Sequence, residues 1–520
     1  MMQNESMRAI GRTRWVGIAG VILLLGAIGL PGVAHGEEKR EAPAVKDFLG
    51  GKSFAVQTGT TLYAWSDEGE TVDVNFERAR ITEKVKQDGT VVVTDPSGEV
   101  RGECVIKKSG KSGKSCDLSD LAAPSAGIWR VDYRASGDGK AIPANWNVAV
   151  NAGGRPISGR VWTDRYQVYQ DPGDGARIDL YYVSEGGYQY RAVFRGYNGL
   201  WSKFEAGVAG LTRPDTCQPL NHSPGGMSGD FSTDLAACGI YKIFFEAPAK
   251  DLPGSARVAG GNETWVVNPV REPKLGEVVY QPGGPNQVAG DFLVTVTDHQ
   301  GTVNLELDLN GDGDFGDDVD RIITWGVSVV GTQQVAIPWD GMAGNEKPVR
   351  NNRDIQARGS IDRIGSIYFV NSDVEGRSGG IEVEYLNGPN AGDRTVYWDD
   401  SPDPEATNAA DQSGHVDSLG GARSWAFSTR SWGNDRHIQD WSFVEAEITG
   451  EVLAVTTPPR PPKHSDAAAG AATAWWQGPF GWVAAAGVVT SVLGLSFLLF
   501  SSRRSNRRDD GEESQLVGLP

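Results

Sequence analysis

The chain has 520 residues, of which 22% are charged, and its formal net charge of −18 makes nucleic acid and anionic lipid poor partners while leaving cations, basic surfaces and neutral glycans open. No P-loop or dinucleotide-binding fingerprint and no GxSxG elbow occurs, so neither phosphate chemistry nor a hydrolase nucleophile is supported. Gly is 68 and Pro 27, and apolar runs are brief and broken by turn signals, which predicts an all-β chain of tandem β-sandwich modules.

Residues 1–36 read as a secretory signal peptide: Arg8, Arg12 and Arg14 precede the apolar run Trp15 to Leu30, and Ala34-His35-Gly36 offers small residues for cleavage. An uncleaved N-terminal anchor is the alternative, although the run is short for a spanning helix. Removing the leader's three Arg and one Glu takes the net charge to about −20.

Residues 51–152 are expected to form a first β-sandwich. Alternation is clear in Thr71 to Phe76 (TVDVNF), Gly127 to Tyr133 (GIWRVDY) and Asn145 to Val150 (NWNVAV), so each of these strands has one apolar face to lay against a second sheet. Cys104 and Cys116 flank a Lys-, Gly- and Ser-rich loop, Lys107 to Ser115. In an oxidising compartment the natural pairings are the local ones, Cys104 with Cys116 and Cys217 with Cys238; zinc is the competing reading, but no close CxxC spacing supports it.

A second β-rich module is expected over 155–275, with aromatic strands in Arg177 to Phe194. Tyr166, Tyr169, Tyr181, Tyr182, Tyr188, Tyr190, Tyr197 and Trp201 suit either sugar stacking or, more simply, the core. Within it, His222 with Ser228 sits in a turn-rich loop that offers little for catalysis.

The third module, 276–390, carries "LDLNGDGDFGDDVDR". Asp308, Asn310 and Asp312 occupy positions 1, 3 and 5 of a calcium loop, Gly313 gives the turn at position 6 and Asp314 a carbonyl at position 7. Position 12 is Val319 where an EF-hand has Glu, leaving Asp317 or Asp320 to close the shell. Strand-like flanks, Val303 to Leu307 and Arg321 to Trp325, place this loop in a β-module, where calcium would be structural. The bland alternative is an acidic turn whose Asn and Asp tolerate tight backbone angles, although carboxylates this close repel one another without a cation.

A Trp-rich β segment, 391–455, closes the ectodomain. Asp399-Asp400 with Asp403, beside Trp398, is the best candidate for a glycosidase carboxylate pair, against the simpler reading of a polar turn after a strand. Trp425, Trp432 and Trp441 invite the same pair of readings as the tyrosines, sugar stacking or core, with the core again the simpler one. A Pro/Ala-rich stalk, 456–474, leads to a single transmembrane helix over 475–502: Gly481 to Phe500 is twenty residues without charge, Trp475, Trp476 and Trp482 crowd one edge, and Arg503, Arg504, Arg507 and Arg508 follow. Positive charge stays inside, so 503–520 is the cytoplasmic tail and the body of the protein lies outside the plasma membrane.

Thr61 to Trp65, Val93 to Gly98 and Gly127 to Val131 resemble phrases of bacterial immunoglobulin-like or pre-peptidase C-terminal sandwiches. A longer resemblance starts at Gly159-Arg160-Val161-Trp162 and continues through Phe369 to Glu375, Tyr397 to Asp400 and Asp440 to Phe443; together these look like surface-anchored, multi-module proteins of actinobacterial cells. That resemblance implies an exported, adhesive envelope protein and supplies no catalytic residue. Adhesion or binding of an extracellular protein or glycan is therefore the expected function; the alternatives are a structural scaffold of an envelope complex and, with less support, a surface glycan-processing enzyme.

Overall fold

A computed structural model describes residues 54–81, 84–122, 124–170, 175–224, 231–402, 413–427 and 436–461. The expected leader, most of the stalk, the Gly481–Phe500 helix and the basic tail lie outside the described residues. Among the described residues no helix is long and apolar enough to cross a membrane.

The described chain is all-β, with one short 3-10 turn at Leu235–Cys238. Its strands, in chain order, are β1 (Ala55–Val56), β2 (Thr61–Ser66), β3 (Thr71–Arg78), β4 (Gly89–Thr94), β5 (Val100–Ile106), β6 (Ser115–Ala122), β7 (Gly127–Ala135), β8 (Ala144–Ala152), β9 (Arg155–Ile157), β10 (Val161–Thr163), β11 (Tyr166–Tyr169), β12 (Ala176–Val183), β13 (Gln189–Asn198), β14 (Lys203–Gly207) and β15 (Lys242–Phe244). There follow β16 (Ser255–Arg257), β17 (Glu263–Trp265), β18 (Lys274–Gly284), β19 (Gln287–Thr297), β20 (Gln300–Asp308), β21 (Arg321–Ser328), β22 (Thr332–Trp339), β23 (Asp354–Ser372), β24 (Gly376–Arg377), β25 (Ile381–Tyr385), β26 (Thr395–Asp399), β27 (Ser413–Asp417), β28 (His437–Thr449) and β29 (Leu453–Thr456).

Two large antiparallel sheets dominate. One runs β27-β26-β28-β23-β14-β11-β1-β8-β3-β6; the other runs β24-β13-β12-β15-β10-β2-β7-β4-β5. Their inner faces share one continuous core, from Val72, Val74 and Phe76 at one end to Phe204, Phe369 and Tyr385 at the other. β3 shows the predicted alternation, with those three residues inward and Thr71, Asp73 and Asn75 half-covered. β7 departs from it: Ile128 and Trp129 are both buried, because Trp129 enters the main core while Ile128 packs outward with Trp65 and Trp162.

Strand pairing crosses the boundaries expected from the sequence. β1 joins β8 to β11, and β2 pairs with both β7 and β10, so segments 51–152 and 155–275 share both sheets. β14 pairs with β23, and β23 with β28, which draws 391–455 into the same sheet. A second core does form over 276–390, where the β18-β19-β22 sheet covers β20, β21 and the first half of β23 through Phe292, Val294, Leu305, Leu307, Ile337 and Trp339. β23 serves both cores: Ile355, Ala357 and Ile361 lie in the second, Ile367 and Phe369 in the main one. Its register against β28 shifts between Ile364 and Ile367, where Gly365 takes a φ of +59°.

Both local disulfides are present, Cys104–Cys116 and Cys217–Cys238. Cys104 sits on β5 and Cys116 on β6, the last strands of opposite sheets, so this bridge ties two open edges together.

Candidate functional site: an acidic hairpin loop, a buried charge network and an aromatic row

The acidic stretch connects β20 to β21, whose ladder closes at Leu307 opposite Arg321. Asp308, fully buried at the end of β20, accepts the backbone N–H groups of Asn310 (3.2 Å), Gly311 (2.6 Å) and Gly313 (2.9 Å). The next side chains repeat the motif: Asn310 Oδ1 accepts from Asp312 N and Asp312 Oδ1 from Asp314 N, each at 2.9 Å. Gly311 and Gly313, at φ +82° and +86°, supply the left-handed residues this winding requires. Asp320 closes the base by accepting Leu309 N at 2.9 Å and Asp317 N at 3.3 Å. Burial, with Asp317 and Asp308 adding repulsion, pushes the Asp320 carboxyl above the usual range despite those bonds.

Of the six predicted ligands, Asp308 and Asp320 thus form the floor, and Asn310, Asp312 and Asp317 come together above it. The Asn310 amide donates to Asp312 Oδ2 (3.0 Å) and Asp317 Oδ2 (2.5 Å), bridging two carboxylates that would otherwise repel. Asp314 Oδ1 accepts Gly316 N at 3.1 Å. Hard carboxylate and amide oxygens are calcium-type donors. Among the described residues, however, no group of three or more His, Cys, Asp or Glu side chains is gathered as a metal cluster.

Asp399 and Asp400, the candidate hydrolase pair, part company. Asp399 is the polar turn, its Oδ1 accepting Ser401 N at 2.9 Å. Asp400 is fully buried and bound by Arg423, whose Nε lies 3.0 Å from its Oδ2 and whose Nη2 bonds its Oδ1. Arg423 Nη1 reaches Asp440 Oδ1 at 2.9 Å, and Arg377 clamps Asp440 through Nη1 (2.7 Å) and Nη2 (3.0 Å). All four charged side chains are without solvent exposure. Both guanidinium groups also face the Trp425 ring, Arg377 at 4.8 Å and Arg423 at 5.7 Å. Burial pushes the Asp440 carboxyl up, but the two arginines outweigh it and hold it at about 2. At Asp400 burial prevails over Arg423 and Ser223, and its carboxyl is raised. A carboxylate sealed in this way orders a core and meets no substrate. Asp403, Ser228 and Trp432 lie outside the described residues; His222 is half-buried, with its Nδ1 3.2 Å from the Ser223 carbonyl.

Of the aromatic group in 166–201, Tyr166, Tyr169, Tyr182, Tyr188, Tyr190 and Tyr197 are buried and Tyr181 and Trp201 half-buried, so this cluster is core. A row unread in the sequence crosses the end of the first sheet instead. His415 on β27 stacks on Tyr397 of β26 at 5.3 Å, Tyr397 on Phe443 of β28 at 4.7 Å, and the Arg363 guanidinium of β23 lies over the Phe443 ring at 4.5 Å. The rings lie within 20° of parallel, as cross-strand neighbours on one face do. An open groove of about 600 Å³ begins beside Phe443 and Arg363 and is walled by Asp362, Glu445 and Glu447. The alternation in Asp440-Trp441-Ser442-Phe443 set Trp441 and Phe443 on one face; which rings stand beside them depended on register.

No protein family matches the chain, and no curated protein does. Among solved structures it is similar to a DUF4785 family protein from Legionella pneumophila at 9% identity, over 64% of this chain and 85% of that one, with a TM-score of 0.14. So slight a likeness carries no argument.

Proposed function

We propose that the protein is a membrane-anchored cell-surface protein whose all-β body binds an extracellular protein or glycan, with calcium stiffening the β20–β21 hairpin. The observation that carries the binding reading is the groove beside Phe443. The half-covered Phe443 ring, a guanidinium and three carboxylates there combine apolar contact with hydrogen-bonding groups, the mixture that extracellular protein and sugar ligands need. The burial of Asp400 argues against the enzyme alternative. Anchoring rests on the apolar Gly481–Phe500 segment and the arginines after it. For calcium, Asp308, Asn310, Asp312, Asp314, Asp317 and Asp320 are the donors, and the ion would take over the task of the Asn310 amide, neutralising carboxylates already drawn together.

The test is capture of cells, purified glycans and matrix proteins on beads coated with the full-length protein, in calcium and in EDTA. Capture that EDTA weakens and Phe443→Ala reduces at least fivefold is expected. Absence of capture in both conditions would overturn the binding reading and favour an envelope scaffold.

A further inference from the structure

Charge on this acidic chain is unevenly spread. Residues 77–88 and 107–114 together hold eight cations against Glu77, Glu83 and Asp88, a balance of +5 on a chain of −18. The fold fuses these two segments. Arg78 donates its backbone N–H to Lys114 O at 2.7 Å and its guanidinium to Lys107 O and Gly110 O, each at 2.9 Å. Asp88 accepts Lys107 Nζ at 3.1 Å and Lys108 N at 2.9 Å, and Lys108 Nζ reaches Lys86 O at 2.5 Å. The Cys104–Cys116 bridge pins the base of the second segment.

The result is a basic saddle held in shape rather than a loose run of lysines. Arg80, Lys84 and Lys86 belong to the first segment and Lys107, Lys108, Lys111 and Lys114 to the second, all exposed. Gly110 at φ +93° and Gly113 at φ +66° fold the tip back so that Lys107 N bonds Gly113 O at 2.7 Å. A Cβ at Gly113 would meet Lys107 Cγ at 2.7 Å, so the tight turn needs glycine there.

We propose that this saddle is a docking site for a polyanionic polysaccharide. The claim rests on the extracellular binding reading and gives it a ligand class, through residues other than the groove's. Repeated negative charge suits cations presented side by side on two segments. The tip, Lys107 to Ser115, carries only Lys, Gly and Ser. Without an aromatic ring it has nothing on which bases stack, and without an apolar tip nothing to enter a bilayer. Ser109, Ser112 and Ser115 add hydroxyls for sugar oxygens. The surrounding acidic body repels extended anionic surfaces, whereas a flexible chain can thread to a patch within about a Debye length, ~8 Å at physiological salt.

The experiment measures binding of the full-length protein to dextran sulfate, with neutral dextran, single-stranded DNA and phosphatidylserine vesicles compared at the same ionic strength. Dextran sulfate should bind, neutral dextran should not, and raising salt should weaken binding steeply. Combining Lys107→Ser, Lys108→Ser, Lys111→Ser and Lys114→Ser should lower affinity at least tenfold and flatten the salt dependence. Unfolding curves matching the parent's would confirm that the quadruple variant folds, and the graded single change Lys111→Glu should fall between the two. Unaltered dextran sulfate binding by the quadruple variant overturns the site; tighter binding to DNA or vesicles overturns the ligand class. Loss of dextran sulfate binding with cell capture retained locates the failure in this proposal's ligand, whereas loss of all capture by the parent protein locates it in the binding reading itself.

Discussion

Arg423→Met is the sharpest perturbation of the buried charge network. Arg423 gives Asp400 two hydrogen bonds, Asp440 one at 2.9 Å, the Gln439 carbonyl another at 2.9 Å and Ser223 Oγ a fifth at 3.2 Å. Without it Asp440 keeps the 2.7 Å and 3.0 Å bonds from Arg377, but Asp400 loses its cation in a site without solvent exposure. Removing one partner of a buried pair costs about 3–5 kcal/mol. Five hydrogen bonds to charged or desolvated groups are at stake, so the upper half of that range is expected at pH 7. The penalty has a definite pH sign. Burial already raises the Asp400 carboxyl, and loss of Arg423 raises it further, so protonation relieves the variant as pH falls. In the parent, Asp440 works the other way: held at about 2, it contributes stability above its unfolded value near 3.9 that is lost as pH falls through about 2. Urea unfolding followed by tryptophan fluorescence at pH 7 and pH 4 should show a large loss that shrinks at the lower pH. A loss under about 1 kcal/mol at pH 7, or one that grows at pH 4, would refute the argument.

Burial lowers the proton affinity of His299, which bonds the Thr302 carbonyl through Nε2 at 2.9 Å. Its contribution to stability is full above its unfolded value near 6.5 and declines as pH falls toward the folded one, so His299→Gln should flatten stability against pH in that window. Calcium should raise the thermal midpoint of the parent and not of Asp312→Ala; calorimetry showing no shift in either would remove the ion from the hairpin. Breaking the Cys104–Cys116 bridge, which spans a 12-residue separation, should cost about 2–4 kcal/mol in denaturant unfolding, and no cost would mean that the β5 and β6 edges are held by other contacts.

The period of two in Thr71 to Phe76 is legible because one side of β3 faces the core, and the turns are legible because Gly and Asx residues punctuate them. What periodicity leaves open is which strand lies beside which: nothing in Val161-Trp162 announces that it pairs with Tyr63 and Ala64, about a hundred residues earlier. Position-specific chemistry was legible where it is local. Asp308, Asn310 and Asp312 wind as their spacing foretells, each side chain accepting a backbone N–H two residues on. The charge network was not, since Arg377 and Asp440 are 63 residues apart and read singly as surface charges. Asp400 looked like its neighbour Asp399; Asp399 ends β26 half-exposed, and the residue after the strand turns inward.

The acidic hairpin and the groove are joined by one strand. β20, which carries Asp308 at its end, pairs with β23 from Asn304 opposite Ser360 to Asp308 opposite Gln356. A few residues further along β23, Arg363 pairs with Glu445 of β28, and both line the groove beside Phe443. Order at the loop therefore bears on the strand that positions the groove, because the ladder between β20 and β23 can fray only by releasing Leu305 and Leu307 from the second core. An ion that neutralised Asp312 and Asp317 would hold that ladder closed without touching a ligand. Its removal should weaken binding at the groove through the position of Arg363, while the basic saddle, in the loops after β3 and β5 whose flanking strands do not pair with β23, should keep its affinity for polyanions.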